Sequence, residues 1–109
     1  MIDIKAIKEH FDGDEELIGE LTEIFDSSYP TSLAALVVAI QEKNFSEIEL
    51  HAHTLKGMIS NFFAVDLKNA AANLEKIGRD KVDTEIKANL SYLEENLPKV
   101  SVEVRKLLV

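Results

Sequence analysis

Apolar residues recur along this chain at intervals of three and four, the spacing that lines one side of an α-helix, with polar residues filling the positions between. Ile4, Ile7, Lys8 and Phe11 sit at helical spacing in a short first segment that Gly13 punctuates. Asp14 can cap a second helix, where Glu15 and Glu16 suit the N-terminal dipole and Leu17, Ile18, Leu21, Ile24 and Phe25 form an apolar stripe. Pro30 lacks an N–H and biases Tyr29 away from helical angles, so a break or kink is expected at 27–29, with helix resuming near Thr31. Leu33, Leu36, Val37 and Ile40 then point inward until Lys43 and Asn44 end the rod. Ser46 and Glu49 match a capping box, which starts the next helix and carries it to about Phe63. Asp66 and Asn69 open another through Leu74 and Ile77, with Gly78 as its C-terminal stop. Residues 82–97 supply a further helix with Ile86, Leu90, Leu93 and Leu97 inward. Pro98 is expected to end it, and 102–108 to form a last short amphipathic piece.

Four substantial helices with short connections make antiparallel neighbours. The expected fold is therefore all-α, an up-and-down antiparallel four-helix bundle with a short extra N-terminal helix and a short C-terminal one. No internal repeat or low-complexity linker interrupts residues 1–109, which read as a single domain. Composition agrees: 46% of the 109 residues are hydrophobic, enough for one core, and four Gly and two Pro are too few for many short strands and turns.

Charge and residue usage narrow the function. With 20 acidic against 12 basic residues and a net charge of −8, attraction to nucleic-acid phosphates or anionic lipid is disfavoured. The absence of cysteine removes thiolate metal sites, disulfides and thiol nucleophiles. Charges at Asp3, Lys5, Lys8 and Glu9 interrupt the N-terminus, leaving no signal-peptide core. The longest apolar stretch, 33–40, falls short of the roughly 20 residues that span a bilayer. No membrane insertion is expected, and a cytoplasmic location is.

Candidate chemistry lies between Phe45 and Ala64. At ~100° per residue, His51 and His53 point to nearly opposite sides of their helix and cannot form one site. Ser46, Glu49, Lys56, Gly57, Ser60 and Ala64 all fall within roughly 60° of His53, a strip of polar and small residues. His51 faces Ile48, Leu55, Met58 and Phe62 and reads as a hydrogen-bonded histidine at the core margin. A neutral imidazole such as His53, with an ordinary pKa of about 6.5, keeps one lone pair and is a competent nucleophile. Phosphoryl transfer spreads charge over equatorial oxygens, and Lys56, one turn along, places an ammonium beside the ring to meet it. Gly57 removes the side chain that would flank the ring at i+4, so a partner can approach. A mid-helix glycine costs roughly 1 kcal/mol, which asks for such a reason.

The run Ala52-His53-Thr54-Leu55-Lys56-Gly57 resembles the signature of histidine phosphotransfer (HPt) domains of two-component phosphorelays. The resemblance extends through Asn61-Phe62, Leu74-Glu75 and Gly78-Arg79, and back through Pro30 and Ile24-Phe25, so it covers nearly the whole chain. It implies a four-helix bundle whose His53 takes a phosphoryl group from a receiver aspartate and passes it to another, steadied by Lys56. Glu49, Ser60, Asn61 and Arg79 are supporting positions, Arg79 matching a basic position near the phosphorylated face of some relatives. Also implied are response-regulator receiver domains and an upstream hybrid sensor kinase as partners, and a monomeric phosphocarrier without kinase or phosphatase activity of its own. No cofactor or metal belongs to the chain, the Mg2+ sitting in the receiver. Met58 and Phe63 depart from the family, which usually has a small residue and a glycine there, and this bears on partner choice. A docking surface is expected on apolar residues flanking His53, including the first segment around Ile7 and Phe11, although that segment reads equally well as core.

Other chemistries lack their parts. No Ser/His/Asp set and no glycine-rich phosphate loop is visible. A di-metal bundle needs Glu-x-x-His pairs, whereas Leu50, Ile48 and Ile7 stand three residues before His53, His51 and His10. Two alternatives stay open: a bundle that docks partners without being phosphorylated, and the substrate domain of a chemotaxis-type histidine kinase.

Overall fold

The computed structural model of the chain describes residues 2–108, the side chain of Leu107 excepted. Five helices follow one another: α1 (Ile4–His10), α2 (Glu15–Gln41), α3 (Phe45–Ser60), α4 (Val65–Asp80) and α5 (Ile86–Leu107). The described residues contain no strand. Helix α2 packs on α3, α3 on α4 and α4 on α5, and α5 returns to α2, which closes the up-and-down ring that short connections favour. At 1.5 Å per residue the 27 residues of α2 make a rod of about 40 Å, the long dimension of a molecule 42 × 21 × 19 Å.

Neither proline ends a helix. Pro30 lies inside α2 and Pro98 inside α5, so the expected joint at 27–29 is absent and residues 102–107 are the last turns of α5. Both prolines are exposed. The carbonyls four residues earlier, on Asp26 and Glu94, can therefore turn to water for the donor that proline lacks. Burial of Phe25 and Leu36 around one proline, and of Leu97 and Val100 around the other, holds each rod in place.

Helix ends depart from expectation in the same way, because tertiary contacts outrank local signals. Asp14 caps α2 as expected, accepting from the N–H of Leu17 at 3.1 Å, and Asp3 caps α1 in the same way, accepting from the N–H of Ala6 at 3.0 Å. Helix α3 starts two residues earlier than the expected box, with Asn44 rather than Ser46 as its N-cap. Lys43 adopts a left-handed φ of 53°, Asn44 follows in extended conformation, and its side chain accepts from the N–H of Glu47 at 3.3 Å. Asparagine caps as well as serine, so Ser46 is drawn into the first turn. Helix α4 opens at Val65 behind Ala64 rather than at Asp66. It runs past Gly78 to a left-handed Lys81, whose N–H bonds the Ile77 carbonyl.

The core is built from Ile18, Phe25, Leu36 and Ala39 of α2, Ile48, Ala52, Leu55 and Ile59 of α3, Leu67, Ala71 and Leu74 of α4, and Leu93, Leu97, Val100 and Val104 of α5. Thr22 is buried among them because its hydroxyl donates to the Ile18 carbonyl at 2.7 Å, which satisfies the group inside the helix. Leu17 and Ile24, placed inward by periodicity, are exposed. Ile7 is buried, so the first segment serves as core at that position. Phe63 turns the chain between α3 and α4 with a left-handed φ of 53°, and its ring meets the edge of His10 with centroids 5.5 Å apart, tying α1 to the end of α3.

Candidate functional site

Helices α3 and α4 run antiparallel in close contact, and the chemistry collects on the outer edge of their seam. Along α3 the buried positions Ala52, Leu55 and Ile59 fix the rotation of the helix. That rotation brings His53 to the surface, its side chain 66% exposed. On α4, Ala71, Leu74 and Gly78 are buried, and Glu75 stands at the margin of that stripe with its side chain only 14% exposed.

Glu75 joins the two sequence-predicted residues. One carboxylate oxygen lies 2.5 Å from Nδ1 of His53, and the other accepts from the Lys56 ammonium at 2.6 Å. Lys56 therefore does not stand free beside the ring as expected. Its ammonium turns toward α4 and reaches the site through the carboxylate that also holds His53. The Glu75 carboxyl is held below the usual carboxylate range, first by the Lys56 hydrogen bond, opposed by burial, and then by the bond from His53 and the electrostatic pull of the Lys56 and His53 side chains.

This geometry decides the tautomer. An ionised carboxylate only accepts, so Nδ1 of His53 must carry the proton, and a neutral imidazole then keeps its lone pair on Nε2. The result is an exposed ring, oriented from behind, whose basic nitrogen is the one left uncommitted. Lys56 is 28% exposed and has three N–H donors, of which the Glu75 oxygen takes one.

The remaining expected residues divide. A Cβ placed on Gly57 would meet nothing within 4 Å, so the space beside the ring is open. Ser60 is near in projection, but its hydroxyl donates to the Lys56 carbonyl at 2.9 Å and stays on its own helix. Asn61 is the C-cap of α3 and lies with Leu21, Ile24, Phe25, Ser28, Met58 and Phe62 around a shallow cavity of about 160 Å³ between α2 and α3. Glu49 runs beneath Gly78 through its backbone, and Arg79 is exposed on α4 one turn from Glu75. His51 binds Glu47 at 2.9 Å and is 24% exposed, at the core margin. Among the described residues no group of His, Asp and Glu could hold a metal ion.

Glu75 is the residue that reading the sequence missed as a site member. Its signal was an acid four residues after Ala71 and one after Leu74, on the edge of an inward-facing stripe where an exposed, freely solvated side chain is not expected.

A protein-family model, the Hpt domain, matches residues 20–102 of this chain. The chain belongs to the Hpt domain family. It is similar in fold to the crystal structure of histidine-containing phosphotransfer protein B (HptB) from Pseudomonas aeruginosa PAO1, with a TM-score of 0.86 and 21% sequence identity over 98% of this chain and 93% of that one. No curated protein sequence matches it. As a member of this family the Hpt chain is an all-helical histidine phosphotransfer domain of two-component phosphorelays, and receiver domains and kinases are the class of partner it implies. No described helix is long and apolar enough to cross a membrane.

Proposed function

We propose that this Hpt chain is a cytoplasmic, monomeric phosphocarrier in which Nε2 of His53 accepts a phosphoryl group from the aspartyl phosphate of one receiver domain and returns it to the aspartate of another. The observation that carries this reading is the exposed His53 ring held at Nδ1 by the ionised Glu75. In the forward step the Nε2 lone pair forms the N–P bond as the P–O bond to the donor aspartate breaks, and the leaving carboxylate takes that electron pair. The phosphorylated ring keeps its Nδ1–H, and Glu75 opposite it stabilises the positive charge that the ring acquires. Lys56 turns its uncommitted N–H donors toward the equatorial oxygens, where charge gathers in a loose transition state.

The chain needs no cofactor of its own under this reading, and the Mg2+ resides in the receiver. Gly57 leaves the approach open, and the exposed apolar residues Ile24 and Leu50, with the half-buried Met58, flank it. Docking under this reading uses α2 and α3; of the first segment, Ile7 is buried and Phe11 half-buried. Donor and acceptor receivers, an upstream hybrid sensor kinase among them, are identified by phosphotransfer profiling against the receivers of the source genome. His53→Gln is expected to abolish labelling by a phosphorylated receiver while His51→Gln keeps it. Equal labelling of wild type and His53→Gln would refute the site.

A further inference from the structure

Two glycines flank the site for opposite reasons. Gly57 faces open space, whereas Gly78 is buried in the α3–α4 seam. A Cβ at Gly78 would lie 2.5 Å from the Glu49 nitrogen, 2.7 Å from the Phe45 carbonyl oxygen and 2.9 Å from the Glu49 Cα. All three are backbone atoms of α3, so no rotamer change relieves the clash and the helices themselves must separate. Gly78 stands one turn from Glu75 on α4, and Glu49 one turn from His53 on α3. Since the helices are antiparallel, the close backbone contact and the Glu75–His53 hydrogen bond are adjacent rungs of one seam.

We propose that Gly78 is a positioning residue for the transfer reaction: by letting α4 rest on the backbone of α3, it sets the gap across which Glu75 reaches His53 Nδ1. Restoring ordinary contact of ~3.5 Å at Gly78→Ala requires about 1 Å of opening. The same displacement carries a 2.5 Å contact beyond hydrogen-bond range. Lys56, on a four-carbon stem, follows the carboxylate, and the short His53 side chain cannot. The expected lesion is selective: the Lys56–Glu75 pair survives, and His53 is released to exchange between its two neutral tautomers.

The proposal rests on the assignment of His53 as the phosphoryl acceptor, and its primary test does not need phosphoryl transfer. Imidazole ¹⁵N shifts of the full chain, recorded where His53 is neutral, are expected to show a single Nδ1–H form in wild type and a tautomer mixture in Gly78→Ala. Transfer from a phosphorylated receiver should fall roughly tenfold or more, as when an orienting carboxylate is lost from a catalytic histidine. Retention of the single tautomer in Gly78→Ala overturns the proposal, whether or not its transfer rate changes. If Gly78→Ala does not fold, Glu75→Asp decides, because it shortens the reach by one methylene with the glycine in place. A single Nδ1–H tautomer in that variant overturns the proposal, because the width of the gap would then not limit the bond, and a mixture upholds the premise that it does. Should wild type itself accept no phosphoryl group while the tautomers behave as expected, the phosphorelay reading fails and the role of Gly78 in orienting the ring stands.

Discussion

Glu75 of α4 and His53 of α3 meet at 2.5 Å across a helix seam, and this one bond converts a surface histidine into a ring of defined tautomer and direction. The same carboxylate gathers Lys56 at 2.6 Å, so the ammonium and the imidazole are coupled through an acid 22 residues from the histidine in sequence.

Glu75→Gln removes the acceptor-only character of the group facing Nδ1, since an amide presents either an oxygen or an NH2. The expected outcome is a mixture of His53 tautomers and a drop in transfer of roughly tenfold or more. A pH signature accompanies it. The folded Glu75 carboxyl titrates below its unfolded value of about 4.3, so its contribution to stability is present in full above that value and is lost as pH falls through the depressed folded value. Urea unfolding should find wild type more stable than Glu75→Gln at pH 7, with the difference shrinking on acidification below about pH 4.

Lys56→Ala removes the largest cause of the lowered Glu75 value and the donor proposed to meet the phosphoryl oxygens. The carboxyl of Glu75 should titrate higher by NMR. Stopped-flow transfer should slow by roughly tenfold to a hundredfold. Far-UV circular dichroism should be unchanged, because the lysine side chain lies at the surface of the seam rather than in the core.

Gly57→Leu should separate chemistry from access. Nothing in the chain occupies the space beside Gly57, and replacing a mid-helix glycine raises helix stability by up to ~1 kcal/mol. The melting temperature is expected to hold or rise. Labelling by a receiver should fall at least tenfold, whereas labelling by a small phosphoryl donor such as phosphoramidate continues. Equal losses with both donors would mean that the substitution disturbs the ring itself.

Left-handed positions offer a test of the scaffold. Lys81 ends α4 at φ 57° and is exposed, so Lys81→Gly should stabilise the fold by about 1 kcal/mol in thermal or urea unfolding. Phe63 sits at φ 53°, where glycine would be equally relieved, but its ring is half-buried and meets His10. Phe63→Gly is therefore expected to lose about 1–2 kcal/mol net, aromatic burial outweighing backbone relief. Hydrogen exchange should rise first in α1, which that ring helps to hold.

Much of this protein was legible in its residues taken in order. Apolar periodicity marked every long helix, Asp14 marked the start of α2, and the run from His53 to Gly57 marked an exposed face of α3, because these signals depend on residues within one or two turns of each other. Tertiary structure decided the rest. Pro30 and Pro98 stayed inside their helices because both face water and the burial on either side outweighs one missing hydrogen bond. Gly78 proved to be a contact point between helices rather than a stop, since what it accommodates is the backbone of Phe45 and Glu49, more than twenty residues away. Glu75 and the turn of Lys56 toward it belong to the same class. A side chain's partner across a seam is set by how two helices rotate and approach, and no spacing within either helix records that.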